Sequence, residues 1–305
     1  MSGSWSCAYL YQMQAGLRYP FNTKEIQLPN SGRISYIDEG KGEQTIVFIH
    51  GLANYALAWQ KNISELSRKY RCIALDLPGN GLSGRGPFPF GIAWFAQALA
   101  EFLDALNLSR VSLAGHSMGG QIAMTAVLGY PHLAEKLILC APAGFEAFTP
   151  FERSLYRGAA FFLDLLGPEE SSLRTMIRNS FHRNKEQAEP MIQDLLELMQ
   201  LETLSSYKKM VEACVHGMLN EPVYDRLHLI NCPTLVIFGT RDALIPNRFI
   251  HPVSTSEIAR QGTARIPNAR LELFENCGHF VHWEKAERVN QLIDSFLQDD
   301  TINED

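Results

Sequence analysis

The stretch LAGHSMGG, residues 113–120, sets Ser117 between Gly115 and Gly119. The run before it, VSLAG at 111–115, is short and apolar like a strand, and MGGQIAMTAVLGY after it has a helical pattern. A serine on a strand-to-helix turn is the context the G-x-S-x-G pattern requires. Such a turn strains its central residue, and side chains two positions away on either side would strike the neighbouring strand and helix, so glycine stands there. The turn lifts the hydroxyl above the carboxyl end of a sheet, beside a helix N-terminus whose free N–H groups favour negative charge. This is an arrangement for nucleophilic attack on a carbonyl. A serine hydroxyl is a weak nucleophile near neutral pH, so it needs a base, and the base needs a partner that fixes its tautomer and stabilises its cation. The pentapeptide also arises by chance in glycine-containing turns, so its strand and helix context carries the reading.

The elements that must hold this turn follow from periodicity. Residues 24–28 (KEIQL) and 33–37 (RISYI) alternate in polarity around Pro29-Asn30-Ser31-Gly32, the pattern of an antiparallel hairpin. Short apolar runs of the kind buried on both faces then recur: TIVFI at 45–49, CIALD at 72–76, VSLAG at 111–115, KLILC at 136–140, TLVIF at 234–238 and LELF at 271–274. Helical patterns lie near 54–69, 92–106, 118–129 and 284–297. The alternation predicts an α/β fold, an eight-stranded and mostly parallel sheet with right-handed crossovers and helices on both faces. It breaks after Cys140, and from about Phe145 to Arg226 the period is helical, bounded by Pro142 and Gly144 before and Pro233 after. The expected organisation is therefore a core over 24–144 and 227–298, a helical cap insertion over 145–226, an N-terminal extension over 1–23 and an acidic tail over 299–305.

Composition narrows the function classes. Of 305 residues, 46% are hydrophobic and 20% charged, the balance of an ordinary globular chain. The net charge of −6 and the lack of any Lys/Arg run argue against a nucleic-acid partner. Six scattered cysteines without a CxxC pair read as reduced core thiols. The N-terminus has no basic segment followed by a continuous apolar one, and no later stretch approaches the roughly eighteen apolar residues of a membrane span, so the expectation is a cytoplasmic protein without an integral membrane segment. Neither HExxH nor another metal-ligand spacing occurs, and the reading calls for no metal and no organic cofactor, with a small molecule as substrate.

With Ser117 in this setting the chain resembles the α/β-hydrolase superfamily, in its serine-nucleophile branch with a helical cap, from about residue 34 to 298. His50-Gly51, directly after TIVFI, looks like the superfamily's oxyanion loop. The resemblance makes the N–H groups of Leu52 and Met118 the oxyanion donors and His50 a loop-holding residue, with Gly51, Gly115, His116 and Gly119 shaping the site. The stretch ALDLPGNGLSGR at 74–85 is similar to the superfamily's D-x-P-G-x-G-x-S loop, where Asp76 looks structural; Trp59 reads as core packing rather than substrate contact.

The superfamily's chain order of Ser, acid, then His implies Asp242 in FGTRDALIP, just past TLVIF, and His279 in ENCGHFVHWEKAERV, just past LELF. His282 is a rival base, although Gly278-His279 fits the loop pattern. Glu146, just beyond KLILC, is the alternative acid, because some members carry theirs after that strand; Asp242 then reads as a turn-forming or capping aspartate. In the implied mechanism Ser117 attacks a carbonyl with His279 as base, and a water activated by the same histidine releases the acyl group. Serine rather than aspartate at 117 argues against the superfamily's epoxide hydrolases and haloalkane dehalogenases.

The segment SLYRGAAFFLDLLG at 154–167 gathers Leu155, Tyr156, Phe161, Phe162, Leu165 and Leu166 in a helical pattern. A cap helix over an apolar pocket, a helix packed on its neighbours and one touching a lipid interface all fit it. The leading expectation is an uncharged or apolar carboxylic ester of small to medium size. Glu169 and Glu170 read as a substrate-amine subsite or as solvated surface charge. Relatives with the same three residues cleave carbon–carbon bonds, thioesters or peptides, or act as cofactor-free lyases, and a ligand receptor with little turnover is the reading of a different class.

Overall fold

In the computed structural model, residues 19–158, 170–183, 185–199 and 204–299 are described. Cys7, Phe161, Phe162, Leu165, Leu166 and Glu169 fall outside them, as do the side chains of Leu155, Tyr156 and Glu170.

The eight strands are β1 (Thr23–Leu28), β2 (Gly32–Glu39), β3 (Thr45–Ile49), β4 (Arg71–Leu75), β5 (Val111–His116), β6 (Ala134–Cys140), β7 (Thr234–Gly239) and β8 (Ala269–Phe274). They form one sheet in the order β1-β2-β4-β3-β5-β6-β7-β8. The first two pairings, β1 with β2 and β2 with β4, are antiparallel, and all the others are parallel. Every strand expected from the sequence is present, with ends moved by at most one residue apart from two residues gained at the end of β2 and at the starts of β6 and β8.

Alternate residues of the central strands enter two separate cores, as a period of two demands. Val47 and Ile49 of β3, Leu113 of β5 and Leu137 and Leu139 of β6 pack on one face with Phe95, Leu99 and Phe102 of α2 (Ile92–Ala105) and Ile122 and Ala126 of α3 (Met118–Gly129). Ile46 and Phe48, Ala114, and Ile138 and Cys140 pack on the other with Ile63 of α1 (Gln60–Leu66) and Ile293, Phe296 and Leu297 of the last helix. The expected helix at 54–69 is shorter than its pattern: Ala56–Trp59 is a 3₁₀ turn and the α-helix begins at Gln60. The reason is tertiary, because the Ala56 N–H donates to the buried Asp76 carboxylate, 2.7 Å away. Trp59 is fully buried against Phe48, in keeping with a packing role.

Between β6 and β7 the described chain runs through α4 (Pro150–Gly158), α5 (Glu170–Ser180), α6 (Glu189–Met199) and α7 (Leu204–Asn220). It then resumes the βα pattern with α8 (Thr255–Thr263), a short α9 (Val281–Glu284) and α10 (Ala286–Gln298). Cys72, Cys140, Cys214 and Cys277 are buried free thiols, Cys232 is a half-buried one, and among the described residues no helix is long and apolar enough to cross a membrane.

Candidate active site

Chain order along the sheet reverses around β3: the chain passes from β3 to β4 on one side and returns to β5 on the other. A crevice opens outside the carboxyl ends of strands at such a point. The residues that follow β3 and β5 there are His50-Gly51-Leu52 and Ser117.

Ser117 has φ 53° and ψ −120°, a left-handed backbone that a side-chain-bearing residue adopts only under constraint. The constraint is visible. The Ser117 N–H donates to the Cys140 carbonyl at 3.1 Å, and its carbonyl accepts from Gly120 at 2.9 Å and Ala143 at 2.9 Å. The turn also needs bare backbone beside it, for a Cβ on Gly119 would lie 2.3 Å from the Ile49 oxygen and one on Gly115 2.4 Å from the Gly119 oxygen. The loop after β3 therefore rests directly on the turn after β5. A Cβ on Gly51 would sit 3.1 Å from that of Ser117.

His50 is fully buried and bridges two loops. The Leu77 N–H donates to Nε2 at 3.0 Å, so the ring proton is on Nδ1, 2.8 Å from the Gly51 oxygen. Burial lowers its pKa to about 4, which keeps it neutral and both of its nitrogens occupied. Asp76 is likewise committed: Oδ1 accepts from Ala56, and Oδ2 accepts from the Leu82 N–H at 2.8 Å and the Tyr19 hydroxyl at 3.0 Å. Burial raises this carboxyl to about 6.

Asp242 and His279 meet. The His279 Nδ1 lies 2.8 Å from Asp242 Oδ2, with both side chains almost wholly buried. The other carboxylate oxygen, Oδ1, accepts from the Leu244 N–H at 2.8 Å and the Ile245 N–H at 3.0 Å. Both carboxylate oxygens of Asp242 are thus engaged, and its orientation is fixed. His279 is held from its own backbone as well, its N–H donating to the Ser180 carbonyl at 2.8 Å. Glu284 accepts from the N–H groups of Gly278 at 2.8 Å and His182 at 3.2 Å, which ties the histidine loop to the segment after α5. The His116 Nε2 donates to the His279 carbonyl at 3.2 Å, and the two rings lie 4.7 Å apart.

The two rivals are held by other partners. His282 is buried between Trp59 at 4.2 Å and His116 at 4.4 Å, its ring nitrogens make no well-formed hydrogen bond, and burial lowers its pKa to about 3. Glu146 faces His251 Nδ1 at 2.5 Å instead of His279.

Ser117 and His279 both line one cavity of about 160 Å³. Its remaining wall comes from Gly51 to Asn54 after β3, His116 of β5, Gln121 of α3, Ala143, Gly144, Glu146 and Phe148 after β6, Ile177 and Ser180 of α5, and Leu195 of α6. Val211, Val215, Met218 and Leu219 of α7, Pro222, Leu244 and Ile245 after β7, and Phe280 complete it. The wall is mostly apolar, and among the described residues no Lys or Arg belongs to it.

The profile of the α/β-hydrolase fold matches residues 44–286. The chain belongs to the α/β-hydrolase fold family. A 2-hydroxy-6-oxononadienedioate/2-hydroxy-6-oxononatrienedioate hydrolase of Burkholderia vietnamiensis is 30% identical over 281 residues, covering 87% of this chain and 91% of that one. A probable hydrolytic enzyme of Pseudomonas aeruginosa has the same fold, with a TM-score of 0.79 at 22% identity over 93% of this chain and 96% of that one. A thermophilic esterase of Thermogutta terrifontis aligns with a TM-score of 0.72 at 25% identity over 91% and 98% of the two chains. This chain is accordingly a hydrolase by family.

Two residues of this hydrolase's cavity, Asn54 and Gln121, and the pairing of a third, Glu146, with His251 were not legible beforehand. Asn54, Gln121 and the pair of Glu146 with His251 acquire their settings from partners far along the chain: Asn54 touches Met191, Gln121 donates to the Met218 and Glu221 carbonyls, and His251 lies 105 residues from Glu146. No local pattern encodes such contacts.

Proposed function

We propose that this hydrolase cleaves a small to medium, uncharged and largely apolar carboxylic ester through an acyl-enzyme on Ser117. The observation that supports this best is the pairing of His279 Nδ1 with the buried Asp242 carboxylate, on a cavity that also holds the strained Ser117. With Nδ1–H committed to Asp242, the lone pair is on Nε2, the nitrogen left to take the serine proton. Ser117 Oγ adds to the carbonyl carbon as His279 accepts its proton, and the carbonyl π electrons move onto oxygen. The N–H groups of Leu52 and Met118 receive that oxyanion. Collapse expels the alkoxide, which takes the proton from His279; water then adds to the acyl group by the same route and frees Ser117. Asp242 stays ionised throughout and stabilises the transient imidazolium.

In this reading residues 145–226 form the cap over a core of 24–144 and 227–298. Ile177, Leu195 and the apolar face of α7 supply the part of the cavity wall that dehydrates the substrate. A second reading, hydrolysis of a carbon–carbon bond in a keto acid, is favoured by the name of the Burkholderia relative.

Steady-state hydrolysis of p-nitrophenyl esters of graded acyl length, with wild type and Ser117→Ala side by side, tests the proposal. Turnover by wild type that Ser117→Ala lacks, at unchanged thermal stability, is the expected result. Turnover retained without the serine overturns it, and absence of ester turnover in both proteins passes the lead to the carbon–carbon reading.

A further inference from the structure

The cavity of Ser117 and His279 contains a carboxylate that the acyl-transfer chemistry leaves unused. Glu146 Oε1 accepts from the Asn247 N–H at 2.9 Å and faces His251 Nδ1, while Oε2 makes no hydrogen bond to any described residue. The side chain is only 8% exposed. His251 in turn reaches a second carboxylate through Nε2, 3.6 Å from Glu152 Oε1. Two carboxylates thus share one imidazole, and the trio carries net negative charge even when His251 is protonated. Burial and the nearby Asp242 raise the Glu146 pKa, and His251 opposes them. Among the described residues of the wall no Lys or Arg answers this charge.

Resting on the hydrolase reading above, we propose that Glu146 determines specificity, so that the cavity accepts a substrate whose buried end is uncharged and bears a hydrogen-bond donor such as a hydroxyl, and rejects one that ends in a carboxylate. A substrate carboxylate entering this wall loses its water, meets no Lys or Arg among the described wall residues and faces a like charge; each of these opposes binding. A hydroxyl instead donates to the vacant acceptor Oε2. The Burkholderia relative is named for dienedioate and trienedioate compounds, which carry two carboxylates. In substrate charge this chain departs from that relative.

The test compares p-nitrophenyl hexanoate, p-nitrophenyl 6-hydroxyhexanoate and mono-p-nitrophenyl adipate as substrates of wild type and Glu146→Gln. In wild type the adipate monoester is expected to have a kcat/KM on the order of thirtyfold below the hydroxyhexanoate, the weight of one like charge about 8 Å away at an effective dielectric constant of about 20. Glu146→Gln is expected to shrink that ratio at least several-fold. A wild-type enzyme that cleaves the adipate monoester as well as the hydroxyhexanoate, or a ratio untouched by Glu146→Gln, overturns the inference. Thermal-shift titration of Ser117→Ala with the same three esters ranks binding without turnover. If wild type cleaves none of them but this ranking holds, the esterase reading fails and the assignment of Glu146 stands; an inverted ranking removes the assignment.

Discussion

The sharpest consequence of the site geometry concerns Asp242→Asn. The asparagine amide has one acceptor and one donor end, and the structure dictates which end goes where. The Leu244 and Ile245 N–H groups point at Oδ1, so the amide oxygen must stay there; the reverse orientation would set an NH₂ group against two N–H donors. That reversal costs about 1–3 kcal/mol for each buried donor left unpaired. The NH₂ group is therefore turned toward His279 Nδ1, at the 2.8 Å position now held by Oδ2. Two donors cannot face each other, so the imidazole proton moves to Nε2, and the nitrogen meant to take the serine proton no longer has a lone pair. Fold and backbone hydrogen bonds survive, but the base is in the wrong tautomer. The expected loss is about four orders of magnitude in kcat, near 5.5 kcal/mol, with KM little changed. Ester kinetics measure the loss, and ¹⁵N chemical shifts of the His279 ring report the tautomer. A kcat within tenfold of wild type, or an Nδ1–H tautomer in the variant, refutes the reasoning.

Two further predictions concern stability. His282 is folded with a pKa of about 3 against 6.5 when exposed, so its contribution is complete above pH 6.5 and fades as the pH falls toward 3. At pH 5 the loss from this residue is about 2 kcal/mol, set mainly by the unfolded value; His282→Phe is expected to flatten the acid limb by that much in denaturant titrations at pH 7.5 and 5.0, and an unchanged limb counts against it. Lys136 is buried in β6, and its ammonium donates to the carbonyls of Phe296, Leu297 and Asp299 at 2.9–3.1 Å, closing the end of α10. Lys136→Met is expected to lower unfolding free energy by about 2–4 kcal/mol, because three carbonyls at the negative end of a helix lose a cationic donor at once; a change below 0.5 kcal/mol would show that the cap is dispensable.

The sequence by itself determined the features that local chemistry encodes. Strands such as TIVFI and KLILC are unbroken apolar runs after a polar first residue because both faces of the sheet are covered, and they were readable for that reason. The elbow was readable because Gly115 and Gly119 flank Ser117 within five residues of chain, although only Gly115 is demanded by the turn itself and Gly119 makes room for the Ile49 carbonyl. Even there, tertiary contacts intervened: the pattern at 54–69 starts a helix too early, since Asp76 reaches across 20 residues to hold Ala56 in a different turn.

The choice between the two acids was beyond local pattern. Asp242 and Glu146 each follow a strand, and both suit a histidine partner; only the fold places Asp242 2.8 Å from His279 and turns Glu146 to His251. His282, three residues from His279, was separated from it by the same means, since one turn of chain carries its ring between Trp59 and His116. The cavity wall is collective too: the loops after β3, β5, β6, β7 and β8 converge with α5, α6 and α7 over Ser117. Its charge, two carboxylates sharing His251 with no Lys or Arg among the described wall residues, is a property of which side chains end as neighbours. Sequence periodicity reports each residue's exposure to its own element, whereas neighbours a hundred residues apart are decided by how the elements close on one another.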